Sequence, residues 1–157
     1  PRGVWAAPHV TLGADLLATG WRSEREASGG ASVGIQWPLA DGTTGGVSLG
    51  VAAVPDFDGA RAWTGTGPVT ALARVRIRLG RGDDPRAYLG VGGGYDGRLG
   101  GHWCWLLAFG ARTYRGARTE VGVEAGTIGA LGTVGGDHPG LAYVGVRVDL
   151  LLGGSGR

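Results

Sequence analysis

Three arginines stand at every second position within the segment TALARVRIRLGRG, residues 70–82. Because side chains point alternately to opposite faces of a β-strand, Arg74, Arg76 and Arg78 would lie together on one face. Such a row of guanidinium groups suits two kinds of chemistry. It could bind the phosphates of a nucleic acid, or it could be the polar face of a strand whose other face is free of charge.

The other predicted strands supply carboxylates on the same face as the arginines. The charged residues that share this face are Asp15, Arg74, Arg76, Arg78, Arg112, Glu120, Glu124, Arg147 and Asp149. Five arginines and four acids are close to balance, and the opposite face carries no charge. Nucleic-acid binding is disfavoured, because the strand tryptophans lie on the opposite face and the net charge is only +2.

Motifs that could carry catalysis or hold a cofactor lack their structural context. GVSLG at 46–50 has the pattern of a nucleophile elbow and GGGYDG at 92–97 that of a dinucleotide-binding loop, but no predicted helix follows either. His102 and Cys104 share a strand face without two further metal ligands, and PDFDG at 55–59 lacks the remaining positions of a calcium loop. We therefore expect no catalytic residue, no cofactor and no metal.

The composition is that of one domain spanning 1–157. Gly accounts for 35 residues without the period of collagen, apolar residues make up 43%, and no apolar run is long enough for a transmembrane helix. All 15 basic residues are Arg, and the one Cys excludes an internal disulfide. The chain opens at Pro1 rather than Met, so we expect a mature or trimmed product.

Alternating apolar and polar residues, bounded by Gly, Pro and Asp, predict an all-β chain. The eight predicted strands lie near 9–19, 31–39, 46–54, 69–79, 87–95, 102–113, 119–128 and 141–152. Long connections alternate with short ones, which predicts an antiparallel up-and-down meander with two unlike ends. Helical signals are nearly absent, and the segment SEREASGG at 23–30 is the candidate for a helical turn.

Alternation defines two faces but does not say which one is inside. A soluble lipocalin-like barrel would enclose the apolar face around a ligand, whereas a membrane barrel would turn that face to lipid. The membrane arrangement is favoured by small residues on the charged face, by strand lengths suited to a bilayer, and by aromatic residues near strand ends. The aromatic residues expected to face lipid are Trp37, Tyr95, Trp103, Trp105 and Phe109.

The segment RAYLGVGGGYDG at 86–97, the charged strand face and the rhythm of the connections resemble the small eight-stranded outer-membrane β-barrels. That group includes the membrane domain of outer-membrane protein A and its relatives. The resemblance covers nearly the whole chain and implies an eight-stranded antiparallel transmembrane barrel in the bacterial outer membrane. Such barrels commonly end on an aromatic residue, whereas this chain ends LLLGGSGR. Either the assembly signal differs, or the chain is extended or belongs to a larger assembly.

We expect a non-enzymatic structural, anchoring or accessory protein, because an eight-stranded barrel has an interior just filled by side chains. Its partners would be membrane lipid and other envelope proteins, the latter reached through long connections that contain Trp21, Phe57 and Trp63. Two alternatives stay open. One is a soluble barrel that binds an apolar ligand, and the less favoured one is an outer-membrane lipid hydrolase that uses Ser, His and an acid.

Overall fold

The computed structural model describes residues 4–18, 27–53, 69–80, 86–96, 102–131 and 140–152. Eight antiparallel strands form one closed barrel in which each strand pairs with its neighbours in sequence and the last pairs with the first. The strands are β1 (His9–Ala18), β2 (Ala27–Ala40), β3 (Thr43–Ala53), β4 (Val69–Leu79), β5 (Ala87–Asp96), β6 (His102–Arg115), β7 (Thr119–Ala130) and β8 (Gly140–Leu151). The predicted all-β, eight-stranded antiparallel meander is confirmed.

A 3-10 turn, Val4–Ala6, precedes the barrel. Among the described residues, no helix has the length and apolar character needed to cross a membrane.

The closure of the barrel is staggered. We start at Ala18 of β1 and step from each residue to its partner on the next strand, from β8 back to β2; this path ends at Trp37. The partner of His9 on β2 is Gln36, so Trp37 corresponds to position 8 of the chain. The path therefore returns to β1 ten residues from its starting point (18 to 8). A stagger of this kind requires strands that are tilted by roughly 35–45° from the barrel axis.

Two predicted strand boundaries were wrong at the start of β2 and β3. The candidate helical turn at 23–30 is incorrect for residues 27–30, which belong to β2, while 23–26 lie outside the described residues. Residues 27–30 are extended because they pair with β1, and from Gly29 onward also with β3. β3 begins at Thr43 rather than 46, because Asp41 and Gly42 form a two-residue hairpin turn with a positive φ of 72° at Gly42.

β6 is also longer than predicted and ends at Arg115 rather than 113. Its pairing with β7 shifts register between Arg112 and Tyr114, as a β-bulge does. The extra residue leaves Tyr114 exposed on the outside of the barrel, close to the β6–β7 turn.

The two faces of the sheet differ sharply. Most polar and charged side chains of the strands point to the interior, and the buried ones are His9, Thr11, Gln36, Thr44, Thr70, Arg74, Arg76, Glu120, Glu124, Arg147 and Asp149. Large apolar side chains point outward around the wall, with Leu49 63% and Trp103 69% exposed. Within the described strands, the outward positions carry no Arg, Asp or Glu.

Two glycines in the wall make room for tyrosines inside the barrel. Gly110 lies directly opposite Tyr88 on the neighbouring strand, and Gly126 lies opposite Tyr143. A Cβ atom at Gly110 would overlap the ring of Tyr88, and one at Gly126 would approach Tyr143 Cε1 to 2.7 Å. Glycine at these positions therefore lets large side chains lie across a narrow interior.

We expect Gly110→Ala to lower the free energy of unfolding by about 1–3 kcal/mol, because the added methyl group displaces Tyr88 in a packed interior. Gly90→Ala is the matched control: its methyl group would lie 3.5 Å from Ala108 Cβ, an ordinary contact. Urea unfolding of the refolded protein, followed by fluorescence, measures both variants. Equal stability of the two would contradict this role for Gly110.

Candidate functional site in the barrel interior

One carboxylate, that of Glu124 on β7, collects donors from three other strands. Arg74 Nη1 on β4 donates to both carboxylate oxygens, at 2.7 and 2.9 Å. The hydroxyls of Tyr88 on β5 and Tyr143 on β8 each donate at 2.8 Å, and Arg147 Nη2 lies 3.3 Å from Oε1. Glu124 is 1% exposed, so these donors replace water around its charge.

A second carboxylate, that of Asp149 on β8, anchors a chain of polar groups that runs across the first four strands. Arg76 Nη1 donates to its oxygens at 3.1 and 2.9 Å, and Thr11 Oγ1 donates to Oδ1. Gln36 Nε2 donates to Thr11 Oγ1, and Thr44 Oγ1 donates to Gln36 Oε1, both at 3.0 Å. The chain joins β4 and β8 to β1, β2 and β3.

Trp5 fills the end of the barrel at which the short turns lie. Its ring is 5.5 Å from the ring of Tyr88, and the guanidinium carbons of Arg76 and Arg78 lie 5.8 and 4.9 Å from its centroid. These are cation–π distances. Trp5 is 5% exposed, so the 3-10 turn that carries it places a buried indole ring at this end of the interior.

His9 lies at the start of β1, close to the 3-10 turn. Its Nδ1 is 3.0 Å from the carbonyl oxygen of Ala7, and its Nε2 is 3.9 Å from Asp149 Oδ1. The imidazole is fully buried. It therefore hydrogen-bonds to the segment before β1 and lies near the Asp149 carboxylate, beyond hydrogen-bond distance.

A looser ion-pair group surrounds Glu120 at the short-turn end. Arg112 Nη1 and Arg115 Nε lie 3.6 and 3.7 Å from the same Glu120 oxygen, beyond hydrogen-bond distance. Arg115 is partly exposed to solvent, whereas Arg74 and Glu124 are buried. Water weakens this group relative to the one around Glu124.

Towards the long connections, the inward sides of β6, β7 and β8 carry an apolar cluster. Its buried residues are Cys104, Leu106, Ala108, Ile128, Ala130 and Tyr143, with Leu72 packed against them. Two cavities of ≈ 20 and ≈ 30 Å³ lie within the described part of the barrel, each large enough for about one or two water molecules. The described interior is therefore filled by side chains.

The predicted charged residues gather inside the barrel. Arg74, Arg76, Glu120, Glu124, Arg147 and Asp149 are buried, and Arg78 and Arg112 are partly buried on the same face. Asp15 lies in β1, where its backbone pairs with Gly30 of β2 and Gly145 of β8. Its side chain lies outside the described part of the structure. The predicted row of arginines on β4 thus faces inward.

The predicted outward aromatics are all exposed: Trp37, Tyr95, Trp103, Trp105 and Phe109. The predicted loop contacts Trp21, Phe57 and Trp63 lie outside the described residues.

Sequence reasoning missed Trp5, His9 and Thr44 as members of the interior. Thr44 was assigned to a connection, although the Asp-Gly pair at 41–42 is a signal for a tight hairpin that extends β3. Trp5 precedes the first strand and belongs to no alternating pattern, so period analysis could not place it.

The motif-like segments sit in regular strands. Ser48 lies inside β3 rather than on a strand-to-helix turn, and residues 92–96 of the glycine-rich segment continue β5. Cys104 is buried in the apolar half, and the side chain of His102 is not among those described. In the described ranges, no three His, Cys, Asp or Glu side chains come together as metal ligands would.

No protein-family model matches the chain, and no curated protein is detectably similar to it. The closed eight-stranded barrel is common to membrane barrels and to lipocalin-like ones. The directions of the side chains therefore carry the functional argument.

We expect Glu124→Gln to lower the free energy of unfolding by about 3–5 kcal/mol, because it leaves Arg74 and Arg147 buried beside a neutral amide. Glu120→Gln is the matched control and should cost about 1 kcal/mol, because its partners are farther away and partly hydrated. Urea unfolding measures both. Similar losses in the two variants would show that Glu124 has no special role.

Proposed function

We propose that this chain is an integral β-barrel of a bacterial outer membrane with a closed, charge-paired interior. In this proposal it is not an enzyme and acts as a structural, anchoring or accessory subunit through its long connections. It would belong with the small eight-stranded outer-membrane barrels that its sequence resembles. Its partners would be membrane lipid and other proteins of the envelope.

The observation that carries this proposal is the direction of the side chains. The ionised side chains described on β4, β6, β7 and β8 point into the barrel, and large apolar side chains point out on every strand of the described wall. Soluble monomers rarely expose a continuous apolar surface of more than a few hundred Å². A lipocalin-like barrel with an apolar ligand would bury the apolar face instead. Lipid is a solvent for which the observed arrangement is favourable.

Outward aromatic residues lie near both ends of the apolar wall. Trp103 pairs with Tyr95 where β5 and β6 meet the connection at 97–101. Trp37 and Tyr114 lie near the short turns at the opposite end. Tryptophan and tyrosine favour the level of lipid headgroups, where one side of the ring meets hydrocarbon and the other meets water. This spacing supports a wall that spans a bilayer.

The lengths and pairing of the strands suit the same environment. The strands contain 10–14 residues, and about 9–11 tilted residues cross the hydrocarbon core of a bilayer. Closure of β1 onto β8 leaves no sheet edge with unpaired backbone groups in the described barrel. Such groups cost several kcal/mol each in hydrocarbon, so closure is a condition for insertion.

The filled interior supports a role outside solute transport. The described barrel is occupied by Trp5, by the groups around the Glu124 and Asp149 carboxylates, and by the apolar cluster. A pore would need a continuous aqueous path, and wide aqueous channels occur in barrels of many more strands. Specific contacts with other proteins would then come from the long connections, which contain Trp21, Phe57 and Trp63.

Tryptophan fluorescence in bilayers of brominated phosphatidylcholine tests the proposal. Bromine on the acyl chains should quench the emission strongly, and replacement of Trp37, Trp103 and Trp105 by Phe should remove most of that quenching, because these side chains point outward. Trp5→Phe is the control. It should leave the bromine effect nearly unchanged, because Trp5 lies inside the barrel.

A folded, water-soluble protein without quenching would overturn the membrane proposal and direct attention to apolar ligands. Hydrolysis of a phospholipid or lipopolysaccharide that is lost on replacing one Ser or His would overturn the non-enzymatic part. Quenching that persists in the triple variant would contradict the assignment of these three residues to lipid.

A further inference from the structure

The segment directly before β1, residues 4–8, reaches from one side of the barrel end to the other, and we call it the latch. We propose that the latch keeps the first and last strands, β1 and β8, paired in the folded barrel. We call the β1–β8 pair the seam. This inference goes beyond the proposed function and does not depend on a membrane location.

The seam is held differently from the other strand pairs. Every other pair joins strands that follow one another in the sequence, so the chain itself keeps the two strands close. The seam depends on backbone pairing, from His9–Leu151 to Ala18–Ala142, and on the hydrogen bond of Thr11 with Asp149. Local opening of a folded protein begins where contacts are few and chain ends are near. We therefore expect the seam to be the pair at which this barrel opens most readily.

The latch is attached to both strands of the seam. The carbonyl oxygen of Pro8 accepts a hydrogen bond of 3.0 Å from the backbone nitrogen of Leu152, which continues the β1–β8 pairing past its last strand pair. On the β1 side, His9 Nδ1 lies 3.0 Å from the carbonyl oxygen of Ala7. These two contacts fix one end of the latch at the end of the seam.

The other end of the latch is anchored on the wall opposite the seam. In a closed ring of eight strands, β4 and β5 lie opposite β8 and β1. The ring of Trp5 is 5.5 Å from the ring of Tyr88 on β5. The guanidinium carbons of Arg76 and Arg78 on β4 lie 5.8 and 4.9 Å from its centroid. Leu151 of β8 packs against the same two rings, so the indole joins both walls.

Burial makes these contacts strong enough to hold the seam. Trp5 is 5% exposed, and cation–π contacts are strengthened when water is excluded from them. Because the latch is continuous with β1 and bonded to β8, separation of these strands would break the Pro8 hydrogen bond. It would also remove Leu151 from the rings of Trp5 and Tyr88 and expose them to solvent. Opening of the seam is therefore opposed by contacts on the far wall.

Hydrogen exchange of backbone amides in the refolded protein, resolved by NMR, tests this inference. Trp5→Ala should raise the exchange rates of residues 9–12 and 148–151, which pair at the latch end of the seam. We expect at least about a tenfold rise, because the contacts of a buried aromatic ring are worth more than the free energy that corresponds to this factor. Residues 110–112 and 122–124, which pair at the same end of β6 and β7, should change much less.

Two further variants separate the latch from general stability. Trp5→Phe keeps an aromatic ring beside the guanidinium groups and should retain most of the protection of the seam. Leu106→Ala is the matched control, because it removes a buried side chain from the apolar cluster of β6, β7 and β8. It should not act preferentially on the latch end of the seam.

A cross-linked seam gives a second test. Leu12 and Val148 are direct partners across the seam on its outward face, so Leu12→Cys with Val148→Cys can form a disulfide, and Cys104→Ala removes the remaining thiol. In the oxidised chain, Trp5→Ala should have little effect on exchange at the seam, because a covalent bond replaces the latch. The oxidised chain also supplies a closed barrel for comparison if Trp5→Ala alone does not fold.

Three outcomes would overturn the inference. An equal rise in exchange on all strand pairs would assign Trp5 to overall stability, and an unchanged seam in Trp5→Ala would leave the latch without a role. Failure of the oxidised Trp5→Ala chain to fold, or a seam effect that persists in it, would show that Trp5 acts elsewhere. The comparison is the same in detergent micelles and in water, so failure of the membrane proposal would leave this inference standing.

Discussion

The buried carboxylate of Glu124 sets the requirements for much of the barrel interior. A charge with 1% exposure is tolerated only when fixed donors replace its lost water, and Arg74, Tyr88, Tyr143 and Arg147 supply them. The two tyrosines reach it because glycines stand opposite them in the wall. Local backbone choices and a central ion pair therefore depend on each other.

The alternation of side chains imposes a second constraint. A closed sheet has an inside and an outside, so successive residues of each strand face two different environments. In this barrel, arginines pair with carboxylates on the inside, and the outside presents Leu, Val, Ile and Trp. Apolar side chains on the outside are in a favourable environment if the barrel is surrounded by hydrocarbon, which is the physical basis of the proposed location.

Period-2 alternation was sufficient to predict eight strands, their antiparallel order and the shared face of the β4 arginines. It could not predict which acid meets which arginine, because the stagger of the closed sheet decides whether Arg76 meets Asp149 or Glu124. The start of β2 at Ala27 was missed because a small, glycine-rich segment has no alternating signal and is held by pairing with β1 and, from Gly29 onward, with β3. Trp5 was missed because tertiary contacts alone determine its place.

The polar chain that ends at Asp149 has a consequence for how the protein folds. Its hydrogen bond with Thr11 joins residues separated by 138 positions, and it forms only when the first and last strands meet. Before closure, Arg76 and Asp149 sit in a sheet whose polar face is incomplete, and the partners contributed by β1, β2 and β3 are absent. Partial barrels are therefore penalised by unmatched charge as well as by open edges, which makes assembly cooperative and dependent on contacts of very long sequence separation.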